Sequence, residues 1–256
     1  MIFVAAGTQD GREIVERLLA AGHRVLASVV SEYGRLLLEA KPGLCINEKP
    51  LDRAALRECL RLHEVTAFVD ASHPYAVNVS KNAMAACTEV AIPYIRYERS
   101  QTDLPEYAAL YRVPDYTAAA KLAASLGKTI FLTTGSRNLA LLKQDPACAA
   151  CRLIARVLPD PAVIEECRQL GFTPKDIIAM QGPFSQTLNE ELYKKYGADV
   201  VLTKNSGKIG GTDSKLAAAM KLHLPIVMIE RPALDYPQMT AAYAEILAFA
   251  EKYKTS

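Results

Sequence analysis

Seven short segments of this chain gather the glycines, hydroxyls, histidine and cations from which a ligand site could be built. They are Gly7-Thr8, Ser72-His73-Pro74-Tyr75, Arg96 to Arg99, Thr134-Gly135-Ser136, Gln181 to Ser185, Lys204 to Lys215 and Glu230-Arg231-Pro232. The richest runs from Lys204 through Asn205, Ser206, Gly207, Lys208, Gly210, Gly211 and Thr212 to Lys215, with three lysines and three glycines. It lacks the GxxxxGK[ST] spacing of a P-loop. Its glycines let backbone N–H groups approach a ligand closely, and its lysines neutralise one. That composition suits phosphates or a carboxylate-rich substrate, against the alternative of a flexible solvated loop.

His73 follows an apolar run and sits between Ser72 and Tyr75, a placement suited to proton exchange or ligand contact. A structural hydrogen bond is the plainer reading. Arg96 and Arg99 flank Glu98 and could grip anions; an inter-lobe set of ion pairs is the alternative. Gly7-Thr8-Gln9-Asp10-Gly11 departs from the dinucleotide fingerprint G-x-G-x-x-G, with one glycine in the tight turn. A small turn entering a helix is still an anion site by geometry, because free N–H groups and the helix dipole point there. An ordinary βα turn reads equally well. Ala27-Ser28-Val29-Val30-Ser31 ends the second strand without the Asp or Glu that would hold a ribose 2′-hydroxyl, which favours NADPH over NADH.

Each segment follows a short β-rich run and precedes an amphipathic one, the alternation of α/β architecture. Strands are expected at 2–6, 23–30, 44–47, 67–71 and 93–97, then at 110–113, 129–133, 153–157, 177–180, 200–203 and 226–229. Asp52 caps one expected helix, Asp160-Pro161 opens another, and Thr212 caps a third over 213–222. The final helix is expected from Gln238 to about Lys252. The expected fold is therefore two Rossmann-like lobes, residues 1–99 and 100–256, whose parallel sheets face a shared cleft. Ligands in such sheets bind beyond the carboxyl ends of the strands.

Composition narrows the partners. The 256 residues are half apolar and carry a formal charge of +2, without the basic blocks expected of a nucleic-acid arm or a membrane-surface protein. The opening Met-Ile-Phe-Val-Ala-Ala reads as a strand rather than a signal peptide, and no apolar run approaches a membrane span, so a cytoplasmic location is expected. Cys148-Ala-Ala-Cys151 has no second ligand pair nearby; no metal site is expected, and these thiols read as small, partly buried side chains.

Taken together, Asp70-Ala-Ser-His-Pro-Tyr-Ala76, Arg96-Tyr-Glu-Arg99, Leu132-Thr-Thr-Gly135, Gln181-Gly-Pro-Phe-Ser185 and Lys204-Asn-Ser-Gly207 with Gly210-Gly211 and Lys215 resemble the precorrin-6A reductase family, in its metal-free or cobalt-containing form. The resemblance spans nearly the whole chain, in order. It departs at Ala6-Gly7-Thr8, where the family more usually has paired glycines, and at Ser100, where a proline often stands. It implies an NADPH-dependent oxidoreductase of corrin (cobalamin) biosynthesis. Hydride would pass to one carbon of the C18–C19 bond of a polycarboxylate tetrapyrrole, with a proton added at the neighbouring carbon. On that reading Gly7, Thr8, Ser72, Arg96, Arg99, Gly135 and Ser136 contact the cofactor. His73 and Tyr75 are the candidate proton donors. Lys204, Ser206, Gly207, Lys208, Thr212 and Lys215 bind the substrate. A non-catalytic nucleotide or tetrapyrrole carrier is the rival. A short-chain dehydrogenase is disfavoured, because Tyr116 and Lys121 miss the Tyr-x-x-x-Lys spacing by one.

Overall fold

The computed structural model describes residues 1–29, 32–38, 41–99, 103–207 and 211–254. The chain forms two compact units, Met1–Ser100 with Pro232–Ser256, and Gln101–Arg231.

In the first unit, β1 (Ile2–Ala5), β2 (Val25–Ser28), β3 (Leu44–Asn47), β4 (Ala67–Asp70) and β5 (Tyr94–Tyr97) alternate with α1 (Gln9–Ala20), α2 (Glu32–Leu36), α3 (Arg53–Leu62) and α4 (Val77–Glu89). The second unit comprises β6 (Leu110–Val113), α5 (Tyr116–Leu126), β7 (Thr129–Leu132), α6 (Leu139–Lys143), β8 (Arg152–Val157), α7 (Pro161–Gln169), β9 (Ile177–Ala179), α8 (Gln186–Tyr196), β10 (Val200–Lys204), α9 (Thr212–Lys221) and β11 (Ile226–Ile229). The chain then returns to the first unit with β12 (Met239–Thr240) and α10 (Tyr243–Lys252).

Sheet order in the first unit is β12-β5-β4-β1-β2-β3, with every neighbouring pair parallel. This is the doubly wound dinucleotide-binding order, in which the chain reverses direction between β1 and β4. The second sheet runs β6-β11-β10-β7-β8-β9, again parallel throughout. It has the same order, except that its outermost place is filled by the strand that opens the unit rather than by one that closes it. Strands buried on both faces explain the near-continuous apolar runs Ile-Phe-Val-Ala and Ile-Val-Met-Ile.

The final 25 residues correct the expected boundaries. Met239–Thr240 is a strand, where helix was expected from Gln238. Arg96 N donates to Gln238 O and Glu98 N to Thr240 O, both at 2.8 Å, so the segment finds its partners on the edge of β5. Helix begins only at Tyr243. Its inner face places Ile246, Phe249 and Ala250 in the core with Ile2, Val4, Ile14 and Val69. Burying each large side chain contributes about 1.5–3 kcal/mol, which fixes the C-terminal segment to the first unit. The short helix α2 covers Glu32–Leu36, and residues 39 and 40 lie outside the described set. Among the described residues no helix is long and apolar enough to cross a membrane.

Candidate active site

At the reversal point of the first sheet, the turns after β1 and β4 are joined by one side chain. Thr8 Oγ1 donates to Ala71 O at 2.8 Å and accepts from Gly11 N at 3.0 Å. It therefore caps α1 and ties the two strand ends together. With its hydroxyl used in this way, the turn presents backbone to a ligand rather than the threonine side chain.

Gly11 was not singled out in the sequence, yet it is the residue that the turn most requires. A Cβ there would stand 2.7 Å from Ala6 Cα, far inside contact distance. This is the role of the third glycine of the dinucleotide fingerprint, which lets helix and strand pack closely. The Gly7–Gly11 spacing carried the signal. At Gly7 an added Cβ would meet nothing within 4 Å. The α1 N-terminus, the reversal point and the open space at Gly7 together fit a dinucleotide phosphate.

Arg99 is placed beside this helix end. Its Nη1 pairs with Asp10 Oδ2 at 2.7 Å, and Tyr243 OH donates to Asp10 Oδ1 at 3.1 Å. Arg96 behaves differently. Its side chain is 1 % exposed and faces inward, with Nη1 2.8 Å from Asp70 Oδ1 and 3.0 Å from Ser72 Oγ, and Nε 2.7 Å from Glu98 Oε2. The ion pairs to Asp70, Glu98 and Asp10 lie within the first unit, so the two arginines hold its strand ends together.

Asp70 is the centre of that network. Its carboxylate also accepts from Ser72 N at 3.0 Å, Ser80 Oγ at 2.6 Å and Tyr94 OH at 2.7 Å. Burial pushes its pKa up, but the Arg96 charge and these hydrogen bonds outweigh burial and lower it. The same burial and the neighbouring carboxylate push the Tyr94 phenol well up.

Asp70 thus anchors the turn that carries Ser72, His73 and Tyr75. His73 Nδ1 accepts from Tyr75 N at 3.2 Å, and the two rings lie 5.7 Å apart. An accepting Nδ1 places the proton of the neutral ring on Nε2. The imidazole is half-buried, so a donor is held in one tautomer and orientation at the end of β4.

In the second unit, Gly135 adopts φ +77° with nothing within 4 Å of an added Cβ, so the turn after β7, which also carries Ser136, has open space beside its backbone at Gly135. Lys204 ends β10, Asn205, Ser206 and Gly207 are buried, and Lys215 faces inward from α9. Lys208 lies outside the described residues. Thr212 is not the expected cap. Gly211, at φ +67°, occupies the N-cap position of α9 and makes no side-chain cap bond, because only a residue tolerant of left-handed backbone closes this turn. Thr212 becomes the first helical residue, and its buried hydroxyl has no hydrogen-bond partner among the described residues. Cys148 and Cys151 Sγ approach the carbonyls of Ala120 and Gly127 at 3.8 and 3.9 Å.

Burial, then the Arg156 charge, then Lys204, bring the Lys215 pKa down to about 7. Burial and Arg137 bring Lys204 down to about 8. Because each ammonium is charged only below its lowered pKa, affinity for an anion here is expected to weaken as pH rises through that range. A dissociation constant for the substrate measured from about pH 6 to about pH 9 checks this, and a flat profile refutes it. The folding contribution spans a wider window, from the Lys215 value up to the unfolded value of about 10.4. The cost of burying the ammonium is full below the Lys215 value and fades above it.

Comparison with known proteins identifies the family. The sequence profile of precorrin-6x reductase CbiJ/CobK matches residues 1–251. A cobalt-precorrin-6A reductase of Priestia megaterium is 40 % identical over 248 residues, covering 96 % of each chain. One from Methanocaldococcus jannaschii is 34 % identical over 255 residues, covering 99 % of each. A solved structure of a CobK precorrin-6A reductase superposes with a TM-score of 0.76 at 24 % identity, over 100 % of this chain and 97 % of that one, and so shares the fold. With the family profile spanning both units, and the reversal-point turn and the lysine-bearing loop inside it, this chain belongs to the precorrin-6x reductase CbiJ/CobK family.

Proposed function

We propose that this protein reduces cobalt-precorrin-6A with NADPH in cobalamin biosynthesis. Hydride would pass from nicotinamide C4 to one carbon of the macrocycle and a proton to its neighbour, giving the dihydro product and NADP⁺. The observation that carries this is the dinucleotide-type reversal point of the first sheet, set in a chain of this family. Ser28, bonded by Asn47 Nδ2 at 3.0 Å, ends β2 with a hydroxyl and no acid, which supports NADPH over NADH.

When bound, NADPH supplies the hydride, and the protein's task is placement. We assign backbone at Gly7 and Thr8, together with the Arg99 guanidinium, to cofactor phosphates. Ser72, His73 and Tyr75 are assigned to the nicotinamide end. Arg96 is a positioning residue, since it holds Ser72 through its buried guanidinium. The Gly135–Ser136 turn is assigned to cofactor contact. Lys204, Ser206, Gly207, Thr212 and Lys215, with Lys208, are assigned to substrate carboxylates. His73 Nε2 is the candidate acid, with Tyr75 beside it. We assign the reaction to the cytoplasm; six free cysteines support that reading, since thiols stay reduced there.

The test is anaerobic NADPH oxidation with cobalt-loaded and metal-free precorrin-6A side by side. Turnover with the cobalt form supports the reading. Binding of NADPH without oxidation would identify a carrier instead. His73→Ala is expected to lower kcat about tenfold or more at saturating ligands, with a smaller effect on KM. A smaller fall assigns the proton to water or to a substrate carboxyl.

A further inference from the structure

On the face of the second sheet covered by α8 and α9, an apolar core changes abruptly to a polar one. Ile154, Phe131 and Val201 lie side by side in that core with Leu216 and Ala219. Two residues further along the strands, the same face carries Arg156 on β8 and Thr203 on β10. On α9, the i, i+3, i+4, i+7 face reads Thr212, Lys215, Leu216, Ala219, so its polar half meets the polar half of the sheet.

Arg156 is 5 % exposed, and among the described residues no carboxylate pairs with it. Its partners are neutral. Nη1 donates to Asn189 Oδ1 at 2.7 Å, and the guanidinium lies 4.0 Å from the Phe184 ring centroid. In the same layer between the sheet, α8 and α9, the hydroxyls of Thr203 and Thr212, both 0 % exposed, and of Tyr193, 1 % exposed, have no hydrogen-bond partner among the described residues. Tyr193 and Lys215 both lie within electrostatic reach of Arg156. Burying a guanidinium without a counter-charge, beside unbonded hydroxyl donors, is costly unless a ligand repays it. All these groups can donate hydrogen bonds, and the ligand that satisfies them all is an oxyanion.

We propose that Arg156, Thr203, Thr212 and Tyr193, with Lys215, form a buried oxyanion pocket. It takes either a carboxylate arm of the tetrapyrrole or a phosphate of the dinucleotide. The pocket lies wholly within the second unit. Phe184 orients the guanidinium, and Ser214 Oγ, donating to Phe184 O at 2.9 Å, ties the loop that carries Phe184 to α9. The choice of ligand rests on the function proposed above; the pocket itself does not.

The experiment uses the full chain and Arg156→Met. Without ligand, the variant is expected to melt no lower than wild type, because an uncompensated charge has been removed. Inorganic pyrophosphate or tricarballylate should raise the melting temperature of wild type but not of the variant. In turnover, the KM of one ligand should rise about tenfold or more, the size of a lost charged contact. A shift in the tetrapyrrole constant identifies a carboxylate, and a shift in the NADPH constant identifies a phosphate. Should Arg156→Met fail to fold, Thr203→Val keeps volume and charge while removing one unbonded hydroxyl. It should leave the melting temperature unchanged and weaken the same ligand several-fold. Unaltered anion response and unaltered constants in the variant that folds overturn the pocket. Arg156-dependent anion response in a chain that never oxidises NADPH would sustain the pocket and refute the reductase reading.

Discussion

Asp70→Ala is expected to destabilise the first unit by about 3–5 kcal/mol, because it strands the fully buried Arg96 and leaves Ser80 and Tyr94 without their acceptor. Glu98 remains on Arg96, which places the cost toward the lower end. Urea unfolding of variant and wild type near neutral pH measures it, and a difference under about 1 kcal/mol would show that the network is dispensable. The pH dependence has a definite sign. The folded pKa of Asp70 is lowered, so its contribution is complete above the unfolded value of about 3.9 and is lost as pH falls through the folded one. The gap between wild type and variant should therefore close in acid. Because Asp70 also holds Ser72 N, the loss should be felt at His73 as reduced turnover even where the variant remains folded.

Gly11→Ala is expected to impair folding and cofactor binding together. The new methyl would meet the backbone of Ala6 at 2.7 Å, where no side chain can swing aside, so α1 must lift from β1. Overpacking of this kind costs about 1–3 kcal/mol. Displacing the helix also separates Thr8 from Gly11 N and Ala71 O, which disperses the N–H groups of the turn. The expected outcome is a lower melting temperature and at least a tenfold rise in the NADPH dissociation constant, about 1.4 kcal/mol. Gly7→Ala, which meets nothing in the protein, is the control. It should leave stability intact and affect only the ligand. If Gly7→Ala and Gly11→Ala behave alike, the division between a packing glycine and a ligand-facing glycine is wrong.

Local chemistry was enough to place most elements. Apolar runs such as Ala-Phe-Val-Asp and Ile-Val-Met-Ile mark buried parallel strands, and Asp52 and Asp160-Pro161 mark helix starts, because a cap or a proline acts over one turn. The same locality led Thr212 to be read as a cap. Capping by threonine is common, but Gly211 in left-handed backbone had already closed that turn. Met239–Thr240 was hidden for the opposite reason. Two residues carry too little pattern to announce a strand, and this one exists only because β5 offers an unpaired edge from far away in the chain.

The site divides along the same line. Local sequence pattern dictates the alternating architecture, the strand-end turns and the presence there of reactive or charged groups: His73, Arg96, Arg99, Lys204 and Lys215. Which of those groups are held in ion pairs of the scaffold depends on tertiary contacts. Arg96 and Arg99 stand three residues apart, yet one is spent on Asp70 while the other reaches Asp10 at the mouth of α1. Arg156, inside an ordinary strand sequence, gains its significance only from tertiary neighbours: it is buried against Asn189 and Phe184, and among the described residues no carboxylate pairs with it. A residue's chemistry is local, but the compensation of its charge is not. It depends on partners tens of residues away, and only folding brings them within hydrogen-bonding distance.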